Sequence, residues 1–289
     1  MISEMRNTLL VVIASATLLL HSCEKDVILD LADMEGQFLV VEANITDSGD
    51  TQWIRLSRST SFYNQSVGEP VEGATLTVND GIRDYVFFET FQAGNEGFYL
   101  NPLITDELKP GRNYRLDIET ANGRTYFAES TFLPVPPIDS VTIKLSPFSE
   151  LGFLPEVVYD IVVHFRDLPG DGDHYLFNLY VNGQLKTPRP NDKAPLSDEN
   201  LEEYVSLAVL NINRKDLFPG DTLTLEIRSI SREKFDFYNI FFFQTDLSGN
   251  PFAGAPPANI PTNLSAGAKG FFQVSAIHRK SIIYDPQLP

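Results

Sequence analysis

The sequence predicts a mainly β protein with two sandwich-like domains and one helix in the second. Three observations carry that prediction. Short segments alternate apolar and polar residues between Asn, Asp and Gly turn signals. Three prolines crowd Pro134-Val135-Pro136-Pro137 and interrupt the pattern, and only the stretch 231–246 has helical periodicity. The 21 Phe and 11 Tyr, set against a single Trp, suit short strands better than a helical bundle.

At the N-terminus, Arg6 precedes Leu9 to Leu20 (LLVVIASATLLL). This apolar run has secretory-signal length and falls short of the ~20 residues a transmembrane helix needs. It ends in Leu20-His21-Ser22-Cys23, which resembles the bacterial lipobox: Leu, a variable residue and a small residue before the cysteine. By that resemblance, residues 1–22 are a signal peptide cleaved between Ser22 and Cys23. Cys23 then takes a diacylglycerol thioether, and its new amino group is acylated by a palmitate-type chain. An ordinary signal peptide with a stray cysteine, or an uncleaved anchor, is the alternative. Cys23 is the only cysteine, so no intramolecular disulfide competes for it. Each buried methylene contributes about 0.8 kcal/mol, so several acyl chains hold a protein at a bilayer where one does not. Glu24-Lys25-Asp26 resembles the surface-export signal of Bacteroidota lipoproteins, or is simply a solvated part of the flexible tether 23–36. Extended, that tether reaches roughly 45 Å.

Residues 37–133 are the first predicted domain. Gln52-Trp53-Ile54-Arg55-Leu56 alternates, with Ile54 and Leu56 on the core face and Trp53 beside Arg55 on the other. Ala74 to Val78 alternates, turns at Asn79-Asp80-Gly81 and returns at Tyr85 to Phe88. Tyr114 to Glu119 places Tyr114, Leu116 and Ile118 on one face, turns at Asn122-Gly123 and returns through Thr131. Leu108-Lys109-Pro110-Gly111 before Tyr114 resembles the tyrosine corner of immunoglobulin-like and fibronectin-like sandwiches. The Ig Cys–Trp–Cys pattern is absent, which leaves the topology open. The proline-rich stretch 134–140 is read as a semi-rigid linker.

Residues 141–289 are the second predicted domain. Strands are expected at Val157 to Phe165, His174 to Val181, through Ile227, at Gly270 to Val274 and at Ile282 to Tyr284, with a polar loop over 188–200. Leu217 to Ile227 parallels Leu108 to Ile118, a Pro-Gly turn feeding an amphipathic strand in each half. In the helix 231–246, Ser231 is the cap and Phe235, Tyr238 and Phe242 form a core stripe.

Cys23-Glu24-Lys25-Asp26, the linker TFLPVPPIDSV, FPGDTLTLEIRSISREKFDFYN and PFAGAPPANIPTNLSAGAKGFFQVSAIHR are together similar to a Bacteroidota outer-membrane lipoprotein family known as domain of unknown function 4249. The resemblance covers nearly the whole chain after Cys23. It implies an outer-membrane lipoprotein often found with TonB-dependent transporters, and it lends no active site to any residue.

The residues themselves offer little chemistry. The formal charge of −17 survives signal removal, because residues 1–22 hold one acid, Glu4, and one base, Arg6. Such a surface repels phosphate backbones, so nucleic acid is not an expected partner. His164, His174 and His278 form no HExxH or close pair and read as structural. No nucleophile elbow or phosphate-cradling loop is present. Asp167, Asp171 and Asp173, among glycines, are the best metal candidate; they suit calcium in ligand type but miss the EF-hand spacing, and a solvated turn is the preferred reading. An outward Trp53 could stack on a sugar or anchor a partner, or be covered by the other domain or a loop. Phe62 and Tyr63 could join it, or merely pin their own loop.

The expected role is a non-enzymatic outer-membrane lipoprotein, lipid-anchored and facing the cell exterior. It would serve as an accessory or binding component of a TonB-dependent transporter in nutrient uptake, with other surface lipoproteins as neighbours. A direct glycan- or nutrient-binding lipoprotein and a fimbrial or adhesin subunit are the alternatives. No cofactor is expected beyond the lipid on Cys23.

Overall fold

The computed structural model describes residues 38–59, 68–170, 172–199, 201–245 and 260–286. The signal peptide, Cys23, Glu24, Lys25 and Asp26 lie outside the described residues, as do Phe62, Tyr63 and Asp171. The described chain is mainly β.

The first half supplies β1 (Leu39–Thr46), β2 (Gln52–Arg58), β3 (Thr75–Asn79), β4 (Asp84–Glu89), β5 (Phe98–Asn101), β6 (Asn113–Glu119) and β7 (Thr125–Thr131). With β15 (Lys269–Ser275) they form one sheet in the order β15-β1-β2-β5-β4-β3-β6-β7. The sheet curls so that its ends meet: Ser130 on β7 accepts a hydrogen bond at Oγ from the Val274 amide, 2.9 Å. Alternation drives this closure. Val41, Ala43, Ile45, Ile54, Leu56, Leu76 and Leu116 all point into one core and leave polar neighbours outside. The tyrosine corner is present: Tyr114 is fully buried, and its hydroxyl accepts the Lys109 amide at 2.9 Å.

The second half supplies β8 (Ile138–Leu145), β9 (Val158–Arg166), β10 (His174–Val181), β11 (Gln184–Leu185), β12 (Ala194–Ser197), β13 (Tyr204–Asn213), β14 (Thr222–Ser229) and β16 (Ile277–Ile283). A three-stranded sheet, β13-β9-β8, and a five-stranded sheet, β11-β10-β14-β16 with β12 on β10, enclose a second core. The hairpin after β10 turns at Asn182 (φ 51°) and Gly183 (φ 77°), the paired positive angles that a tight Asn-Gly turn needs. Helix α1 spans Arg232–Thr245, and the Ser231 hydroxyl caps it by accepting the Lys234 amide at 3.2 Å. Among the described residues no helix is long and apolar enough to cross a membrane.

Four expectations are corrected. The second domain was expected to keep residues 141–289, yet β15 pairs in parallel with β1 from Val40–Lys269 to Thr46–Ser275. Its Phe272 and Val274 fill the first core while Phe271 faces the other way, toward α1. Gln37–Pro289 is accordingly one compact unit. The semi-rigid linker was expected to run over 134–140, yet residues 138–140 already belong to β8, and Val135 packs against both cores. The loop 188–200 contains β12, hydrogen-bonded to the free edge of β10. In the helix, Phe242 is 42% exposed, and the buried line runs instead through Lys234 and Tyr238. The reason is that α1 packs one side against β15 and another against β10, so the buried stripe is rotated toward Lys234.

Strand β13 was missed altogether. Its register shifts between Ala208 and Leu210, and that irregularity breaks the alternation by which a strand is recognised.

Candidate functional site

The outer faces of the two sheets meet across a cleft of about 640 Å³. On one side stand the outward residues of β1, β2 and β15, including Val40, Glu42, Trp53 and Phe271. On the other stand Asn178, Tyr180, Arg228 and Arg279 of β10, β14 and β16. Lys234, Phe237 and Tyr238 of α1 and Lys193 ahead of β12 close it.

Strand alternation explains why polar side chains lie buried here. Leu223, Leu225 and Ile227 face the second core, so Glu226 and Arg228 must face outward. In most sheets that face meets water. Here it looks onto the cleft, across which stands the first sandwich, and Glu226 is fully buried. Register puts Asn178 and Arg279 directly across from Glu226 on the two neighbouring strands. Its carboxylate accepts Asn178 Nδ2 at 2.7 Å, Arg228 Nε at 3.0 Å and Arg279 Nε at 2.8 Å. Burial alone would raise its pKa; Arg228, Asn178 and Arg279 outweigh burial and hold it below the usual glutamate range.

Both lysines differ from the arginines. Lys193 Nζ donates to Asn178 Oδ1 at 2.6 Å and to the Thr187 carbonyl at 2.9 Å, both neutral acceptors. Burial pushes it down to about 8, with Arg228 adding to the effect. The Lys234 side chain lies against Phe271, Phe237 and Tyr238, its ammonium 4.5, 4.7 and 5.4 Å from the ring centres. It has no hydrogen-bonding or carboxylate partner for that ammonium among the described residues. Burial, then Arg228 and Lys193, push it down to about 7. A desolvated cation–π contact contributes about 2 kcal/mol, whereas burying an ion costs several. The rings alone do not offset the burial.

Of the residues singled out from sequence, Trp53 reaches this cleft. It is 38% exposed, its ring is 5.3 Å from that of Phe98, and it lies on the face that alternation assigned. Arg55 beside it pairs with Glu42 at 3.2 Å.

The aspartate loop lies elsewhere. Asp167 accepts the Tyr175 hydroxyl at 2.8 Å, and Asp198, which sequence reading passed over, accepts the Gly172 amide at 2.8 Å. Burial, then the charges of Asp198 and Asp167, raise Asp173. Among the described residues, no three His, Cys, Asp or Glu side chains are placed to hold one metal ion.

The histidines are dispersed. His164 Nε2 lies 3.0 Å from Thr142 Oγ1, His278 Nδ1 accepts the Ile138 amide at 3.0 Å, and His174 packs on Phe235.

Sequence reading missed Glu226, Arg228, Arg279, Lys193 and Lys234. The available signal was Glu226-Ile227-Arg228, a charged pair at alternate positions of an otherwise apolar strand, and Lys234 one turn before Tyr238 in an aromatic helix. Neither says that a second sheet will cover them.

Comparison with solved structures finds low-identity likenesses. To the chicken CNTN1 FN1-FN3 domains the identity is 12%, covering 68% of this chain and 61% of that one, with a TM-score of 0.26. A cytokine receptor complex gives 13% identity, 67% and 92% coverage and a TM-score of 0.24. A chicken TCR gives 11% identity, 66% and 93% coverage and a TM-score of 0.29. No curated protein matches in sequence. The family described as Domain of unknown function (DUF4249) matches over residues 24–281, nearly everything that follows the lipobox-like cysteine, and the chain belongs to that family.

Proposed function

We propose that this protein is a lipid-anchored outer-membrane protein, facing the cell exterior, that acts without catalysis as a ligand-binding component of a TonB-dependent transporter. The observation that carries the binding role is the cleft between the sandwiches. Its volume, about 640 Å³, falls in the range of small-molecule sites, about 300–1,000 Å³, and Trp53 stands at it part-exposed. The anchor rests on Leu20-His21-Ser22-Cys23 in the sequence, and the transporter on resemblance to lipoproteins of this kind.

Labelling cells with a palmitate analogue and fractionating their membranes tests the anchor. The natural chain is expected to carry label and travel with the outer membrane, and Cys23→Ala to lose both. Unchanged processing and partition of Cys23→Ala overturns the assignment. Pull-down of the lipidated chain from native outer membrane tests the partner. Co-purification of a transporter is expected, whereas recovery as a polymer of this chain points instead to a fimbrial subunit.

A further inference from the structure

We infer that the cleft binds a small organic anion, its carboxylate or phosphate seated between Lys234 and Lys193 and its apolar body against Phe237 and Phe271. This deepens the binding-component reading and rests on it.

The argument begins with which charges in the cleft are already satisfied. Glu226 is held by Arg228 and Arg279, and Glu42 by Arg55. Asp50, at the mouth, lies 3.8 Å from Arg279. Each of these carboxylates therefore has a guanidinium, and neither lysine has a carboxylate. Lys234 is 7% exposed and lines the cavity, so its three N–H donors meet ring faces and the cleft itself, with no protein acceptor among the described residues. An anion entering the cleft supplies the missing acceptors. A neutral ligand of the same shape offers at most an uncharged, weaker acceptor, and a cation adds repulsion from Lys193 and Arg228.

The overall charge of −17 does not oppose this. Exposed charges beyond about 8 Å are screened at physiological salt, while those in a covered cleft are screened much less. Local positive charge decides the ligand's sign. The aromatic wall decides that part of the ligand is apolar, since inorganic phosphate alone leaves Phe237 and Phe271 untouched.

Titration calorimetry on the lipidated full chain in detergent tests the inference. The probes are phenylacetate and phenyl phosphate, with benzyl alcohol and benzylamine as neutral and cationic counterparts of similar size. At least one anion is expected to bind tenfold or more tighter than benzyl alcohol, with benzylamine weakest. The relative affinity of the two anions distinguishes a carboxylate site from a phosphate site. Lys234→Met, nearly isosteric, is expected to lose tenfold or more while keeping its circular dichroism, and Lys193→Met to lose less.

The pH dependence has a fixed sign. An anion raises the affinity of Lys234 for its proton, so binding of phenylacetate, ionised throughout the range, should tighten about tenfold from pH 9 to pH 6. The charges acting on Lys234 are Arg228 from β14, Lys193 ahead of β12 and Glu42 from β1, with Tyr238 beside it on its own helix; Lys193, itself pushed down to about 8, titrates in the same window and acts in the same direction. ¹³C-methyl-labelled lysines should report a Lys234 resonance titrating near 7 that moves upward with saturating anion.

Equal binding of anion and alcohol, no binding of either anion at 10 mM, or unchanged affinity in Lys234→Met each overturns the inference. Because Lys234→Met leaves Cys23 intact, lipidation and co-purification with a transporter should persist in it. Loss of those in the natural chain sinks the anchored-accessory reading separately.

Discussion

Glu226 has an amide on one neighbouring strand, a guanidinium on the other and Arg228 two residues along, and its side chain is fully buried. Replacing it by Gln keeps the shape and removes the charge, so Arg228 and Arg279 are left facing each other in a covered seam. Breaking a buried pair costs about 3–5 kcal/mol. Arg279 is 42% exposed and can turn to solvent, which puts Glu226→Gln near the lower end, about 3 kcal/mol in urea unfolding. A loss below about 1 kcal/mol would mean that water already reaches the network. The pH dependence follows from the sign of the shift. The folded pKa is depressed, so the stabilisation is fully present above the unfolded value of about 4.3 and is lost as pH falls through the folded value. Glu226→Gln should therefore flatten the acid limb of a stability–pH curve. None of this was legible in the sequence, where Glu226 reads as a solvent-facing strand residue.

At the scale of elements, alternation and turn chemistry made most of the first sandwich legible: the Ile54–Leu56 face, the Asn122-Gly123 hairpin and the tyrosine corner. β15 was legible as a strand and not as to its sheet, because a strand buried on both faces does not name its neighbour. Gly270 holds that pairing together. Its φ is +96°, and a Cβ there would lie 2.1 Å from the Val41 carbonyl oxygen of β1, closer than any backbone tolerates. Gly270→Ala must therefore push β15 off β1 while also straining the backbone. We expect a loss of about 3 kcal/mol or more, with amide exchange rising across both β1 and β15. Natural protection in β1 of the variant would show that the two strands are not so paired.

Across the whole molecule, the two sandwiches share the chain segment β15–Ala276–β16 and a polar seam. Ser229 Oγ donates to the Leu133 carbonyl at 2.7 Å, and Ser275 Oγ donates to the Ser229 carbonyl at 2.7 Å. Removing β15 would open the first core at Phe272 and Val274 and take Phe271 out of the cleft wall at once. Thermal unfolding should accordingly be one transition, with calorimetric and van't Hoff enthalpies equal and near-UV and far-UV signals coincident. Two resolved transitions, or a fragment ending at residue 260 whose first sandwich keeps its near-UV signal, would show the halves to be independent. The cleft depends on the same arrangement, since its two walls belong to different sandwiches.

By itself the sequence determined the fold class, most strand positions, the capped helix and the family, because periodicity and turn residues are local and survive as a string of letters. Tertiary structure decided that β15 crosses to the other sheet, that the polar outer faces stand across a cleft, and that Glu226 and Lys234 are buried there. Burial is a property of what lies opposite a face, and neighbours in space sit more than two hundred residues apart along the chain, as when Val41 of β1 meets Gly270 of β15.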